Sequence, residues 1–162
     1  MNVFEITLKQ QLKMLARTII FPIIMLLFVW YYELFNVFVF IPLGVLLVVD
    51  TLPSILLHIN YYKANEGATL IIDQNHKVLI YKSKEKFFET SLSNISCMCL
   101  TLSTVYNTGR HSFGQYRYCK VVLIDRTEIV ISCLMVNDLE NNLKNLLNVE
   151  PLIDRKLLCF IR

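Results

Sequence analysis

The sequence predicts an α+β membrane protein: an N-terminal two-helix transmembrane hairpin, followed by an antiparallel β-barrel or sandwich capped by a C-terminal amphipathic helix. Hydrophobic residues make up 55% of the 162-residue chain and charged residues only 18%, an apolar balance for a soluble domain. Between Thr18 and Tyr62 the only charged side chains are Glu33 and Asp50, whereas charges recur every few residues from Lys63 onward. The apolar excess therefore lies in one N-terminal region.

This shift in charge divides the chain into a hairpin, residues 1–62, and a cytoplasmic domain, residues 63–162. A helix that crosses a bilayer needs about 20 mostly apolar residues, because the hydrocarbon core is about 30 Å thick. Two runs have this length, residues 12–32 and 36–57, and the short segment between them allows only a tight reversal. The sequence therefore predicts two membrane-spanning helices.

The apolar region has two alternative interpretations. A cleaved signal peptide is disfavoured, because the first run lacks a small-residue cleavage site and the apolar sequence resumes at once. Pro42 and Gly44, near the start of the second run, leave open a shallow re-entrant hairpin. Lys9, Lys13 and Arg17 precede the first helix and none occupies the reversal, so both termini are expected in the cytoplasm.

Asp50 is the most unusual residue of the hairpin, because a carboxylate within a membrane helix is costly and is a functional-site hypothesis by default. If the chain reverses near Leu34, Asp50 lies level with position 19, and Arg17 is about 3 Å away along the axis. We predict an intramembrane ion pair or shared hydrogen-bond network between Arg17 and Asp50. The alternative is a carboxylate that reaches the cytoplasmic interface by itself or through water.

Short strand-forming runs replace the apolar helices after residue 67. Residues 68–73 and 77–82 flank a turn rich in Asp and Asn, and two more runs follow at 86–91 and 94–103. The clearest pair, residues 116–124 and 127–135, is joined at Asp125 and Arg126 and alternates apolar with polar residues, as antiparallel strands over one core do. The predicted core positions of this pair are Cys119, Val121, Leu123, Ile129, Ile131 and Cys133.

A C-terminal amphipathic helix follows these strands. Asn137 with Glu140 fits a capping box at its start, and a stripe of leucines predicts its buried face, Leu139, Leu143, Leu146 and Leu147. The tail, residues 148–162, is compatible with a strand, a short helix or a membrane-surface segment.

The junction LHINYYKANEG (Leu57 to Gly67) and the segment YCKVVLIDRTEIVISCLMVNDLE (Tyr118 to Glu140) resemble bacterial membrane proteins with a cytoplasmic pleckstrin-homology-like (PH-like) domain. The resemblance implies a partly open barrel plugged by a C-terminal helix, an inner-membrane location and a role in binding or scaffolding. PH domains that hold phosphoinositides carry basic residues around the first strand turn. Here that turn reads Asp73-Gln74-Asn75-His76-Lys77, so phosphoinositide binding is not expected.

No catalytic, cofactor or metal site is predicted. Phosphate-binding, metalloprotease and esterase motifs are all missing from the sequence. Cys97 and Cys99 share one strand face without a second Cys/His pair at zinc-like spacing, so the five cysteines are interpreted as reduced and buried. The net charge of +3 is too small to indicate a nucleic-acid binder.

One loop has a composition suited to recognition, because basic and aromatic residues alternate beside flexible glycines: Arg110, His111, Phe113, Tyr116 and Arg117. It is a candidate site for an acidic headgroup or a protein. The sequence thus favours a membrane-tethered, non-catalytic interaction or scaffolding module. Its expected partners are the bilayer and another membrane or cytoplasmic protein. The alternative is a small homo-oligomeric sensor or channel-like regulator that uses Asp50.

Overall fold

The computed structural model describes residues 1–33, 36–84, 86–108 and 111–161, except for the side chain of Arg17. Two four-stranded sheets pack face to face. The first has the antiparallel order β1-β2-β3-β4, with β1 Asn2–Glu5, β2 Thr69–Asp73, β3 Val78–Lys82 and β4 Phe87–Ser91. The second has the order β7-β6-β5-β8, with β5 Ile95–Ser103, β6 Tyr118–Leu123, β7 Glu128–Ser132 and β8 Pro151–Lys156.

The helical hairpin is inserted between β1 and β2. It comprises α1 Leu8–Tyr31, α2 Val37–Leu46, one turn of π-helix Leu47–Thr51, and α3 Leu52–Asn65. Residues Asn2 to Glu5, which the sequence division leaves with the hairpin, pair antiparallel with β2. Both ends of the hairpin therefore meet in one sheet.

The core lies between the two sheets and is closed by α4, Leu139–Leu147. The predicted alternation of β6 and β7 is confirmed: Cys119 pairs with Ile131, Val121 pairs with Ile129, and all four are buried. On β5 the core side is formed by Met98 and its alternate neighbours, so Cys97 and Cys99 share the other face and are half-buried.

The β-domain is a sandwich and not a closed barrel, since the strands form two separate sheets. The predicted C-terminal helix is confirmed, and Leu139, Leu143 and Leu147 are buried. The predicted capping box is wrong, because Asp138, with a left-handed φ of 45°, precedes the helix without a capping hydrogen bond. The tail contributes β8, which runs parallel to β5.

The continuous helical run Val37–Asn65 is long and apolar enough to cross a membrane. The segments Leu8–Ala16 and Thr18–Tyr31 pass the same test only as a pair bent by 43°. Among the described residues, length and composition therefore identify one candidate span, or the expected two if the bent pair is a single span. The π-turn has a local cause: Pro53 has no N–H to donate to Val49, and the amide of Leu52 donates to Leu47, five residues back.

Candidate functional site at the base of the hairpin

Asp50 lies in the π-turn and binds the loop that precedes β6. Its Oδ1 accepts the backbone N–H of Ser112 at 2.9 Å, and its Oδ2 accepts the Ser112 hydroxyl at 2.7 Å. The Nδ1 atom of His111 lies 3.2 Å from Oδ1. A carboxylate that accepts from a backbone amide, a hydroxyl and an imidazole is a strong connection between the hairpin and the β-domain.

Two buried serines complete this cluster. The Ser54 hydroxyl lies 2.8 Å from the backbone oxygen of Asp50 and 2.6 Å from the Ser112 hydroxyl. Since the Ser112 hydrogen is directed to the carboxylate, the single Ser54 hydrogen serves one of these two acceptors. The buried hydroxyls are therefore satisfied without water.

Further along α3, aromatic side chains connect the helix to the second sheet. His58 Nδ1 is hydrogen-bonded to the hydroxyl of Tyr116 at 3.1 Å. Tyr61 is fully buried, stacks edge-on against Tyr116 at 5.5 Å between ring centroids, and donates its hydroxyl to the carbonyl of Cys159 at 2.8 Å. Burial raises the pKa of Tyr116 above its usual value, so this phenol stays protonated.

The side chains of two asparagines on α3 hydrogen-bond to backbone groups as a neighbouring strand would. The amide of Asn65 donates to the carbonyl of Val130 at 2.8 Å, and its oxygen accepts the Ser132 N–H at 3.1 Å. Asn60 makes the same two-way contact with the backbone of Ile161, at 3.1 and 2.8 Å. Each side chain therefore satisfies backbone groups that no strand pairs.

Together these residues form one face of the helix, which we call the docking stripe: Asp50, Ser54, Leu57, His58, Tyr61 and Asn65. Apart from the neighbours Leu57 and His58, successive members are three or four residues apart, which places them on one side of a helix. The opposite side of α3 is apolar and exposed, at Leu52, Ile55, Leu56 and Ile59. The docking stripe thus fixes the hairpin against the β-domain and directs its apolar side outward.

The predicted recognition loop is part of this junction. Phe113 and Tyr116 are buried, and His111 stacks on Phe113 at 4.9 Å between centroids. The Arg117 guanidinium lies 4.9 Å from the Tyr106 ring centroid, and its Nε is buried without a hydrogen-bond partner in the described part of the chain. Arg110 lies outside the described residues.

The predicted ion pair between Arg17 and Asp50 stays a prediction, because the Arg17 side chain also lies outside the described part of the chain. The structure also places Ser54, Ser112 and Asn65 at this junction, which the sequence did not predict. Asp50, Ser54, His58 and Asn65 do recur at near-helical spacing within an apolar run, and that spacing was the available signal.

A cleft of about 650 Å³ opens beside the Asp50 cluster. Its walls are apolar and its polar end is formed by the cluster itself; the lining residues are Phe21, Pro42, Val45, Leu46, Val49, Asp50, His111 and Ser112. Within the described ranges, no three His, Cys, Asp or Glu residues are arranged to hold a metal ion.

Comparison with known proteins identifies the class of this chain. A family model described as PH domain matches residues 3–144, which include the hairpin as well as β1 to β7 and most of α4. The chain therefore belongs to the PH domain family. No curated protein and no solved structure matches it.

Proposed function

We propose that the protein is a membrane-anchored, non-catalytic interaction module, whose hairpin inserts in the bilayer and holds the PH domain at the inner surface. Membership of the PH domain family supports an interaction role. The anchoring rests on one observation: the hairpin exposes a continuous apolar surface while its base is bonded into the β-domain.

The exposed surface is large. Trp30 is 68% exposed and Phe38 is 84% exposed, and most apolar residues between Ile19 and Val49 are also open to the surroundings. Soluble monomers rarely expose contiguous apolar patches above about 300–600 Å². A bilayer removes this surface from water without a partner protein.

The pairing of β1 with β2 supports a single orientation. Because both ends of the hairpin meet in one sheet, the chain before α1 and the chain after α3 lie on the same side of any membrane. Lys9, Lys13 and Lys63 flank the hairpin on that side, which by the charge bias of membrane proteins is the cytoplasm.

The open edge of β8 is the surface we propose for a protein partner. Leu152 and Ile153 are exposed, and β8 is the last strand in the order β7-β6-β5-β8. An extended segment of another protein can add to such an edge through backbone hydrogen bonds. Anchoring raises the effective concentration of this edge toward membrane-bound partners.

Flotation of the purified full-length chain with phosphatidylcholine vesicles tests the anchor. The double variant Ile24→Arg, Leu27→Arg places charges on the exposed hairpin, and Leu152→Arg, Leu157→Arg places them at similarly exposed positions of the β-domain. Each arginine costs about 2.5–3.5 kcal/mol at the centre of a membrane helix. Wild type and the β-domain variant should float, and the hairpin variant should stay in solution; equal flotation of both variants would refute the anchor.

A further inference from the structure

The cleft beside Asp50 combines apolar walls with one polar end. It lies between α1, α2 and the π-turn, and its walls are apolar, at Phe21, Val45 and Val49 among others. Its volume of about 650 Å³ is in the range of ligand pockets, about 300–1,000 Å³. One end holds a carboxylate and an imidazole.

The polar end has an unused hydrogen-bond acceptor. A carboxylate offers about four acceptor positions, and Ser112 and His111 occupy three of those of Asp50. Since the carboxylate only accepts, Nδ1 of His111 carries the hydrogen of this contact. The Asp50 side chain is 21% exposed and that of His111 is 37% exposed, so a ligand can reach both.

The position of the cluster matches the headgroup region of a membrane. The loop of His111 and Ser112 covers the helix at Asp50, so this is the level at which the hairpin leaves the β-domain. The apolar walls of the cleft continue from that level into the exposed hairpin surface. A molecule that fills the cleft must therefore be apolar along its length and polar, with donors, at one end.

We propose that the cleft binds one membrane phospholipid whose headgroup carries a primary ammonium. Its acyl chain lies along Phe21, Val45 and Val49, and its ammonium donates to the Asp50 carboxylate. The ammonium is chosen by charge complementarity, since Asp50 is the acidic group among the described lining residues. A choline headgroup has the same charge but no N–H to donate.

This inference rests on the proposed membrane insertion and adds a ligand to it. The competing occupant of an apolar cleft is a helix from a second copy of the chain. A dimer that persists without lipid, and that dissociates when a larger side chain fills the cleft, would identify the second copy as the occupant and overturn the lipid site.

Native mass spectrometry of the full-length chain in detergent provides the test, with phosphatidylethanolamine and phosphatidylcholine of identical acyl chains as probes. Wild type should bind the ethanolamine lipid about tenfold more tightly, as a charge-assisted hydrogen bond would produce. Asp50→Asn should remove that preference. Asp50 also holds the loop of Ser112, so a second variant leaves Asp50 unchanged. Val49→Trp fills the cleft with a larger side chain and should abolish binding of the lipid that occupies the cleft.

Val48→Trp is the matched control, since Val48 is 59% exposed, Val49 is 54% exposed, and only Val49 lines the cleft. Equal binding of the two lipids by wild type, or retained binding in Val49→Trp, would overturn the site. Flotation of the same preparation separates the two proposals: a chain that floats without lipid preference refutes the site alone, and a chain that does not float refutes both.

Discussion

Replacing Asn65 with alanine tests how the hairpin is held to the β-domain. Asn65 is 1% exposed, and its side chain bonds the carbonyl of Val130 and the amide of Ser132 on the open edge of β7. The variant removes two hydrogen bonds, each worth about 0.5–1.5 kcal/mol net, and leaves both backbone groups without a partner. The desolvation penalty of an unsatisfied buried group is about 1–3 kcal/mol, so for two such groups we expect a loss of about 2–6 kcal/mol.

Amide hydrogen exchange at Ser132 is the matching assay, because that N–H is protected by the side chain under test. A loss of about 2–6 kcal/mol corresponds to exchange roughly 30–20,000 times faster, at a tenfold change per 1.4 kcal/mol. Asn60→Ala is the control: it removes the same two-way contact from the same helix but releases Ile161 and not Ser132. Unchanged exchange at Ser132 in Asn65→Ala, or equal acceleration by both variants, would refute the reasoning.

Three further predictions follow from packing, titration and length. Gly114→Ala places a Cβ 2.9 Å from the Val105 carbonyl oxygen and should cost about 1–3 kcal/mol in thermal unfolding, whereas Gly44→Ala, with nothing within 4 Å, should not destabilise. Burial raises the pKa of Cys119 to about 12 and of Cys133 to about 11. Each neutral thiol therefore stabilises the fold fully below the unfolded pKa of about 8.5. Between that value and the folded pKa, the free energy of unfolding should fall by about 1.4 kcal/mol per pH unit for each thiol. A denaturant midpoint that stays constant from pH 8 to about 10.5 would contradict this. Residues 37–49 extend only about 20 Å beyond the base of the hairpin, whereas the hydrocarbon core is about 30 Å thick. The chain should therefore bind vesicles of short-chain lipids more strongly than vesicles of long-chain lipids, by a few kcal/mol. Flotation that does not depend on chain length would argue against this depth of insertion.

Local periodicity accounts for what the sequence predicted well. The strands β6 and β7 and the leucine stripe of α4 bury residues at periods of two and of three to four, and neighbours in the chain suffice to define such patterns. The β1 strand shows the limit. Its partner lies beyond the whole hairpin, and four residues next to an apolar helix carry no alternation that predicts such a distant pairing.

The candidate site was only partly predictable for the same reason. Asp50 is conspicuous in the sequence because a carboxylate in an apolar helix is costly. One of its hydrogen-bond donors, however, is the backbone amide of Ser112, a group that every non-proline residue has and that a sequence pattern therefore does not reveal. The composition of the loop around His111 suggested an exposed recognition surface. Phe113 and Tyr116 are instead buried, because their rings pack in the cluster that joins α3 to the second sheet.

The α4 boundary illustrates a similar limit at short range. Asn137 and Glu140 have the spacing of a capping box, yet the helix begins at Leu139. Asn137 Oδ1 accepts from Lys13 Nζ at 3.4 Å, at the base of the hairpin. The Asn137 side chain thus contacts a distant segment, and the three-residue spacing carries no information about that contact.

The most direct test of the account uses Trp30, the single tryptophan of the chain, near the tip of the hairpin. The fluorescence of the full-length protein is measured with vesicles whose acyl chains carry bromine, and separately with aqueous iodide as quencher. Insertion of the hairpin predicts a blue-shifted emission that the brominated chains quench and iodide does not. Emission that stays red-shifted, open to iodide and unaffected by the brominated lipid would contradict the membrane-anchored module.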